Sequence, residues 1–284
     1  MREGFPSGTS FLVAFARGLG VDNHVLDPVA TELLPPWLGR MAKAPRGFGR
    51  VGAVYRRLVR AASFGLIDHM VLRTEAIDAH LASALRSGID QLVILGAGLD
   101  ARAWRLPALD NAAVFEVDHP ATQLYKQEQI GERTARAALR YVAVDFEKER
   151  FAERLARAGF RSTDPSIWIW EGVAMYLPLG AVHETLEQVT ALAAEGSELA
   201  MTYRVPGKLP FGALGRAAIP AMFEAAGEPL KAALEPQEIV SAITPAWEVV
   251  YDEDARGWQA LTASSADPAH SFLSERLAVA KRRA

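Results

Sequence analysis

The stretch Leu92-Val93-Ile94-Leu95-Gly96-Ala97-Gly98-Leu99-Asp100-Ala101-Arg102 decides the fold. A short, wholly apolar run stops at two glycines. Such a run suits a strand covered on both faces, as in a parallel sheet. Glycines at its carboxyl end let the backbone turn tightly and leave room for a ligand. A helix is expected to start near Asp100, with its unpaired N–H groups facing the same crevice. Gly96, Gly98 and Ala101 fit G-x-G-x-x-G/A, the first β-turn-α of a nucleotide-binding α/β domain. Dinucleotide and adenosyl-cofactor proteins share this pattern, and a tight turn without a ligand satisfies it too.

Working outward, the chain alternates. Strands are expected at 91–95, 113–117, 139–144, 166–170 and 198–203, with helical stretches at 101–104, 121–136, 149–158 and 180–195. That rhythm implies right-handed crossovers and a parallel sheet. Residues 204–236 break it: Pro206, Pro210, Pro220, Pro229 and Pro236 punctuate short helical pieces such as 217–226, which reads as an insertion roofing a pocket. A last helix at 236–243 precedes a strand at 247–251, and the apolar run 277–280 suits a final antiparallel strand. Upstream, residues 1–90 read as a helical arm. Ser10 is expected to cap a helix through Gly18, and Asp27-Pro28 to open another that Pro35-Pro36 ends. The Gly-, Pro- and Arg-rich 40–50 reads as a loop. A long helix over 67–86 carries Ile77, Leu81 and Leu85 on one face and closes at Ser87-Gly88. The chain thus divides into an arm, 1–90, capping a crevice, and a nucleotide-binding domain, 91–284, with the roof at 204–236.

Acidic residues recur where successive strands finish: Asp118, Asp145 and Glu171. Ligands of open α/β sheets lie outside the carboxyl ends of the strands. Asp118 stands about 20 residues beyond the glycines, where a carboxylate accepts hydrogen bonds from ribose hydroxyls. Asp145 is placed to accept from an adenine amine, with the peptide N–H of Phe146 beside it for a ring nitrogen. Each acid alone passes for a solvated loop carboxylate or a helix cap, but three in phase with three strands argue for a site.

Gly96-Ala97-Gly98-Leu99-Asp100-Ala101-Arg102, Glu116-Val117-Asp118-His119-Pro120, Val144-Asp145-Phe146 and Glu171-Gly172-Val173-Ala174-Met175-Tyr176-Leu177 together resemble the leucine carboxyl methyltransferase family. More narrowly, they resemble its bacterial branch of S-adenosylmethionine-dependent O-methyltransferases. Asp27-Pro28, Arg73-Thr74 and Gly227-Glu228-Pro229 extend the match over nearly the whole chain. The resemblance implies a class I methyltransferase (Rossmann-like) fold, a seven-stranded, mostly parallel sheet whose last strand is antiparallel. It implies S-adenosyl-L-methionine as cofactor. Arg73 would then pair with the methionine carboxylate, a task suited to a planar guanidinium. Gly96, Ala97 and Gly98 would line the cofactor, Asp118 would hold the ribose, Asp145 and Phe146 the adenine, and Glu171 would sit near the methionine amino group. Arg17 matches an arm segment near the cofactor more loosely.

Methyl transfer from a sulfonium is an in-line displacement, so alignment supplies much of the catalysis. A carboxylate acceptor is already ionised at neutral pH and needs no base; a phenol, of pKa about 10, does. Tyr176 is the candidate that positions the acceptor, although a half-buried structural tyrosine reads the same. Tyr203 and Arg204 end the fifth strand, where they would face the substrate. His119 reads as packing beside the cofactor loop rather than as a base. Trp37, Phe48, Phe211, Met222 and Phe223 hint at an apolar acceptor such as a polyketide acid, and serve equally as packing residues.

Composition excludes several classes. The chain has 284 residues, no cysteine and a formal charge of −3, which removes disulfides, thiolate chemistry and a nucleic-acid footprint. The histidines show no H-E-x-x-H spacing, so no metal is expected, and there is no G-x-S-x-G elbow. No apolar run approaches the roughly 20 residues of a membrane span. The chain is therefore expected to be cytoplasmic and to have neither nucleic-acid nor membrane partners, while the resemblance implies a small-molecule or peptide carboxylate as the acceptor. Two other readings use the same glycine turn: an NAD-dependent oxidoreductase, which needs a proton-transfer pair not evident here, and a non-catalytic cofactor-binding module.

Overall fold

Strand β1 (Gln91–Leu95) is buried along its full length and lies inside the sheet, as an all-apolar strand requires. The computed structural model describes residues 7–21, 27–44, 49–146, 149–206, 221, 223–224, 227–268 and 274–284. Seven strands form one sheet: β1, β2 (Ala113–Asp118), β3 (Ala138–Ala143), β4 (Ile167–Trp170), β5 (Glu198–Arg204), β6 (Trp247–Glu253) and β7 (Glu275–Arg282). Their order is β3-β2-β1-β4-β5-β7-β6. The first five pair in parallel, and β7 runs antiparallel to both β5 and β6. The expected seven-stranded sheet with its last strand antiparallel is therefore present.

The period of two along each strand divides the core. Leu92, Ile94, Ile167, Ile169 and Ala200 face one layer, built on α1 (Gly8–Leu19) and α4 (Leu66–Arg86). Val93, Leu95, Phe115, Trp168 and Trp170 face the other, built on α8 (Leu179–Leu192) and α9 (Pro236–Ile243). Between β1 and β4 run α5 (Arg102–Arg105), α6 (Pro120–Ile130) and α7 (Ala152–Arg157). A further helix, α10 (Ala255–Thr262), is capped by Asp254, buries Trp258 and rests that ring against His69 of α4.

The arm departs from expectation in its details. Ser7 rather than Ser10 caps α1, accepting from the Ser10 N–H. Asp27 does accept from the Ala30 N–H at 2.9 Å, but turns rather than a helix follow. Pro35-Pro36 opens α2 (Pro36–Lys43) instead of ending a helix, because proline suits the first helical turn. The loop expected over 40–50 is helical through Lys43 and again from Gly49, where α3 (Gly49–Ala62) begins; 45–48 lie outside the described residues. Helix α6 stops at Gly131, whose φ of +56° ends it short of the expected 136. Most of the expected roof, with Phe211 and Met222, lies outside the described residues, as does Phe48; of the helical piece expected at 217–226 only 221 and 223–224 are described, and these are helical. Among the described residues no helix is long and apolar enough to cross a membrane.

The glycine turn needs its glycines. Gly96 holds φ at +66°, and a Cβ there would run into the Val173 side chain. Gly96→Ala is therefore expected to destabilise the fold by about 1–3 kcal/mol, combining left-handed strain with a clash. In a chain of this size that lowers a calorimetric melting temperature by roughly 2–4 °C per kcal/mol.

Candidate active site

The turn after β1 is clamped to the end of β2. Gly98 N–H donates to one Asp118 oxygen, and His119 N–H donates to the other at 2.6 Å. Burial pushes the Asp118 carboxyl upward in pKa, and these two N–H groups work against the rise. His119 caps α6 through Nδ1, which accepts from Ala121 N–H at 3.2 Å. Asp145 follows β3, with its N–H directed to Glu149 at 3.3 Å, and the Phe146 ring meets Phe151 edge-on at 6.2 Å.

Glu171, just past β4, is the centre of a buried charge cluster. Its Oε1 accepts from Arg17 Nη2 at 2.7 Å and from Arg73 Nε at 3.0 Å; its Oε2 accepts from Arg102 Nη1 at 2.9 Å. Three elements thus meet on one carboxylate: α1, α4 and α5. Gly172, at φ +68°, lets the backbone pass flat against the Arg73 guanidinium. Arg102 also pairs with Asp100 and Asp78, and Asp78 with Arg105. Arg73 Nη1 reaches Glu275, at the start of β7, at 3.0 Å, and His69 Nε2 lies 2.5 Å from the same carboxylate.

Burial alone would raise these carboxyls, but the guanidiniums outweigh it. Glu171 is held well below the usual carboxylate range by Arg17, Arg102 and Arg73. Glu275 is held at about 2 by Arg73 and His69. Carboxyls with depressed folded-state pKa values stabilise the fold above the ordinary Glu value, and that stabilisation is lost as pH falls through the folded value. Stability is therefore expected to fall between pH ~4.5 and ~2, followed by acid titration of the circular dichroism signal. Glu275→Gln should flatten that dependence.

A second cluster lies over the turn. A Cβ on Gly98 would come within 2.9 Å of Ser10 Oγ, and Ser7 Oγ is 2.8 Å from that hydroxyl. Thr9 Oγ1 donates to Glu228 Oε2 at 2.5 Å, and Glu228 is buried. Burial, then Glu228, drives the Tyr176 hydroxyl far above its ordinary pKa, so Tyr176 keeps its proton and is a donor. Its ring lies 6.1 Å from Phe223.

Arg73, Asp118, Glu171 and the Gly96–Gly98 turn thus gather at the carboxyl ends of the strands, with Tyr176 five residues beyond Glu171 at the end of a short 3-10 turn. Tyr203 does not join them. Its ring lies in the core of the opposite layer and its hydroxyl donates to Asp252 at 2.7 Å. Arg204 points to the other face of β5; its Nε is buried with no hydrogen-bond partner among the described residues, and burial lowers its pKa. Trp37 is largely exposed rather than lining the site. Sequence reasoning missed Arg102, Glu275, His69, Thr9 and the role of Glu228. Arg102 stood in the quoted turn; Glu275 lies 206 residues from His69, and no local pattern links them.

The sheet order and the strand-end site define a class I methyltransferase fold. Two solved structures share it over nearly the full chain. One, a DUF574 family protein from Streptomyces avermitilis, superimposes with a TM-score of 0.64 at 16% identity, covering 98% of each chain. Another, from Thermobifida fusca and described as a methyltransferase, gives 0.61 at 16% identity, covering 100% of this chain and 97% of that one. The chain belongs to the leucine carboxyl methyltransferase family, whose sequence signature matches residues 10–190. A relative in Mycobacteroides abscessus, assigned by name to the S-adenosyl-L-methionine-dependent methyltransferases, is 41% identical over 145 residues, 50% of this chain and 48% of the relative. One in Mycolicibacterium paratuberculosis with the same designation is 33% identical over 195 residues, 68% and 60% of the two chains. The chain spans about half the length of most of the curated relatives it matches.

Proposed function

We propose that this chain is an S-adenosylmethionine-dependent O-methyltransferase acting on a carboxylate of a small molecule, such as a polyketide acid, or of a peptide C-terminus. The observation that carries the reading is the convergence of Arg17, Arg73 and Arg102 on Glu171 beside the Gly96–Gly98 turn. That grouping offers cations for an amino acid's carboxylate and anions, Glu171 and Asp100, for its ammonium.

The residues fit the cofactor in two further respects. An ionised carboxylate has roughly four acceptor positions; Asp118 commits two to backbone N–H groups, which leaves capacity for ribose hydroxyls. Arg102 Nη2 is buried with no partner among the described residues, a donor that a carboxylate or water would satisfy. Asp145 and Phe146 take the adenine in this reading. When bound, the cofactor supplies a methyl group activated on a sulfonium. The chain's own part is alignment: Tyr176 donates a hydrogen bond to the acceptor, and Arg204 attracts its negative charge.

A phenolic acceptor is the second reading, favoured by Glu228. A buried carboxylate beside Thr9 and Tyr176 suits a general base toward a hydroxyl. One experiment separates the two. The enzyme is incubated with methyl-labelled S-adenosylmethionine and panels of carboxylic acids and phenols, and the products are treated with alkali. Carboxyl methyl esters release labelled methanol; phenolic ethers keep the label. Family membership weighs against the dehydrogenase reading. Cofactor binding without any methylated product would favour the non-catalytic module.

A further inference from the structure

Between Glu32 and Asp68 the sequence has seven basic residues and no acidic one, in a chain whose overall formal charge is −3. Most of this stretch is α2 and α3. Helix α3 carries Val51, Val54, Tyr55, Leu58, Val59 and Ala62, an apolar stripe at the i, i+3, i+4 spacing that ordinarily faces a core. Here it does not. Gly52 is the helix's only buried residue, while Val51 is 71%, Val54 56% and Leu58 65% exposed. Arg50 and Arg57 border the stripe, and neither has an ion-pair partner among the described residues. Helix α2 repeats the arrangement: Trp37 and Met41, one turn apart, are 62% and 42% exposed beside Arg40 and Lys43. The helices adjoin, since the Tyr55 hydroxyl reaches the Met41 carbonyl at 3.4 Å. Arg60 anchors α3 to Asp68 of α4 at 2.7 Å, so the exposed stripe is held on the body of the protein.

We propose that α2 and α3 form a docking surface for an anionic phospholipid bilayer, with the Val51–Val54–Leu58 stripe and Trp37 entering the interface and the basic side chains meeting the headgroups. An interfacial helix combines an apolar stripe, flanking Arg or Lys and aromatic anchors with low net hydrophobicity. Long basic side chains let their stems lie along the apolar zone while the charge stays wet. The charge also weighs against a second copy of the same face, because two acid-free surfaces repel. The expectation of no membrane partner rested on the lack of a spanning segment, and a helix lying in the interface requires none.

Vesicle co-sedimentation of the full chain tests this, with vesicles of phosphatidylcholine alone and with phosphatidylglycerol added, in low and high salt. Binding to the anionic vesicles is expected to be at least about tenfold tighter than to the neutral ones, and to weaken in high salt. Val54→Glu with Leu58→Glu is expected to reduce it about tenfold or more, as is Arg50→Gln with Arg57→Gln. These side chains are exposed, so melting temperatures should hold, and the arginine pair serves if the glutamate pair melts early. Equal binding to both vesicle types, binding untouched by both variant pairs, or a dimer in sedimentation equilibrium that Val54→Glu with Leu58→Glu dissociates without any vesicle binding, would each overturn the proposal.

Discussion

Asp118→Ala is expected to cost about 100-fold or more in affinity for S-adenosylhomocysteine, measured by calorimetric titration. Hydrogen bonds to a charged group contribute about 1.5–3 kcal/mol each, and two ribose hydroxyls would share this carboxylate. The same carboxylate fastens the Gly98 N–H, so its loss also frees the glycine turn. Asp118→Asn separates the two effects. The amide oxygen still accepts one bond and the side chain keeps its shape, so a loss of roughly tenfold is expected. The melting temperature of either variant without ligand should move by only a few degrees, because the site lies at the rim of the sheet rather than within its core.

Glu171→Ala is expected to have the largest effect on stability. Three guanidiniums, all buried, converge on this one side chain. Removing one member of a buried ion cluster leaves its partners uncompensated, at a cost of about 3–5 kcal/mol. For a chain of this length that lowers the melting temperature by on the order of 10 °C. Glu171→Gln retains an acceptor oxygen but not the charge, and should fall between the wild type and alanine. An alanine variant that melts with the wild type would mean that Arg17, Arg73 and Arg102 find other anions.

The sheet was legible because its strands are short apolar runs ended by glycine or an acid: β1 and α9 carry the expected bounds, and β2 and β4 differ by one residue. The strand-end acids were legible for the same reason, since position after a strand fixes position in the crevice. Tyr203 was misplaced because a one-residue change along a strand reverses the face: Thr202, whose hydroxyl accepts from Gly172 N–H at 2.8 Å, faces the site, and Tyr203 faces away. Helix α3 went unread because glycine and proline around it suggest a loop. Only the Tyr55–Val59 edge of its stripe meets the core, while Val51, Val54 and Leu58 stay exposed, so little burial announced it. Glu275 joins His69 and Arg73, one turn apart on α4, only through tertiary packing, which no spacing in the sequence records.

The proposed function requires the strand-end site to bind an adenosyl amino acid. Calorimetric titration with S-adenosylhomocysteine, with NADH as the control, tests it most directly. Micromolar binding of S-adenosylhomocysteine, lost in both Asp118→Ala and Arg73→Ala, is expected, with no binding of NADH. Binding of NADH alone, or S-adenosylhomocysteine binding that both variants retain, would contradict it.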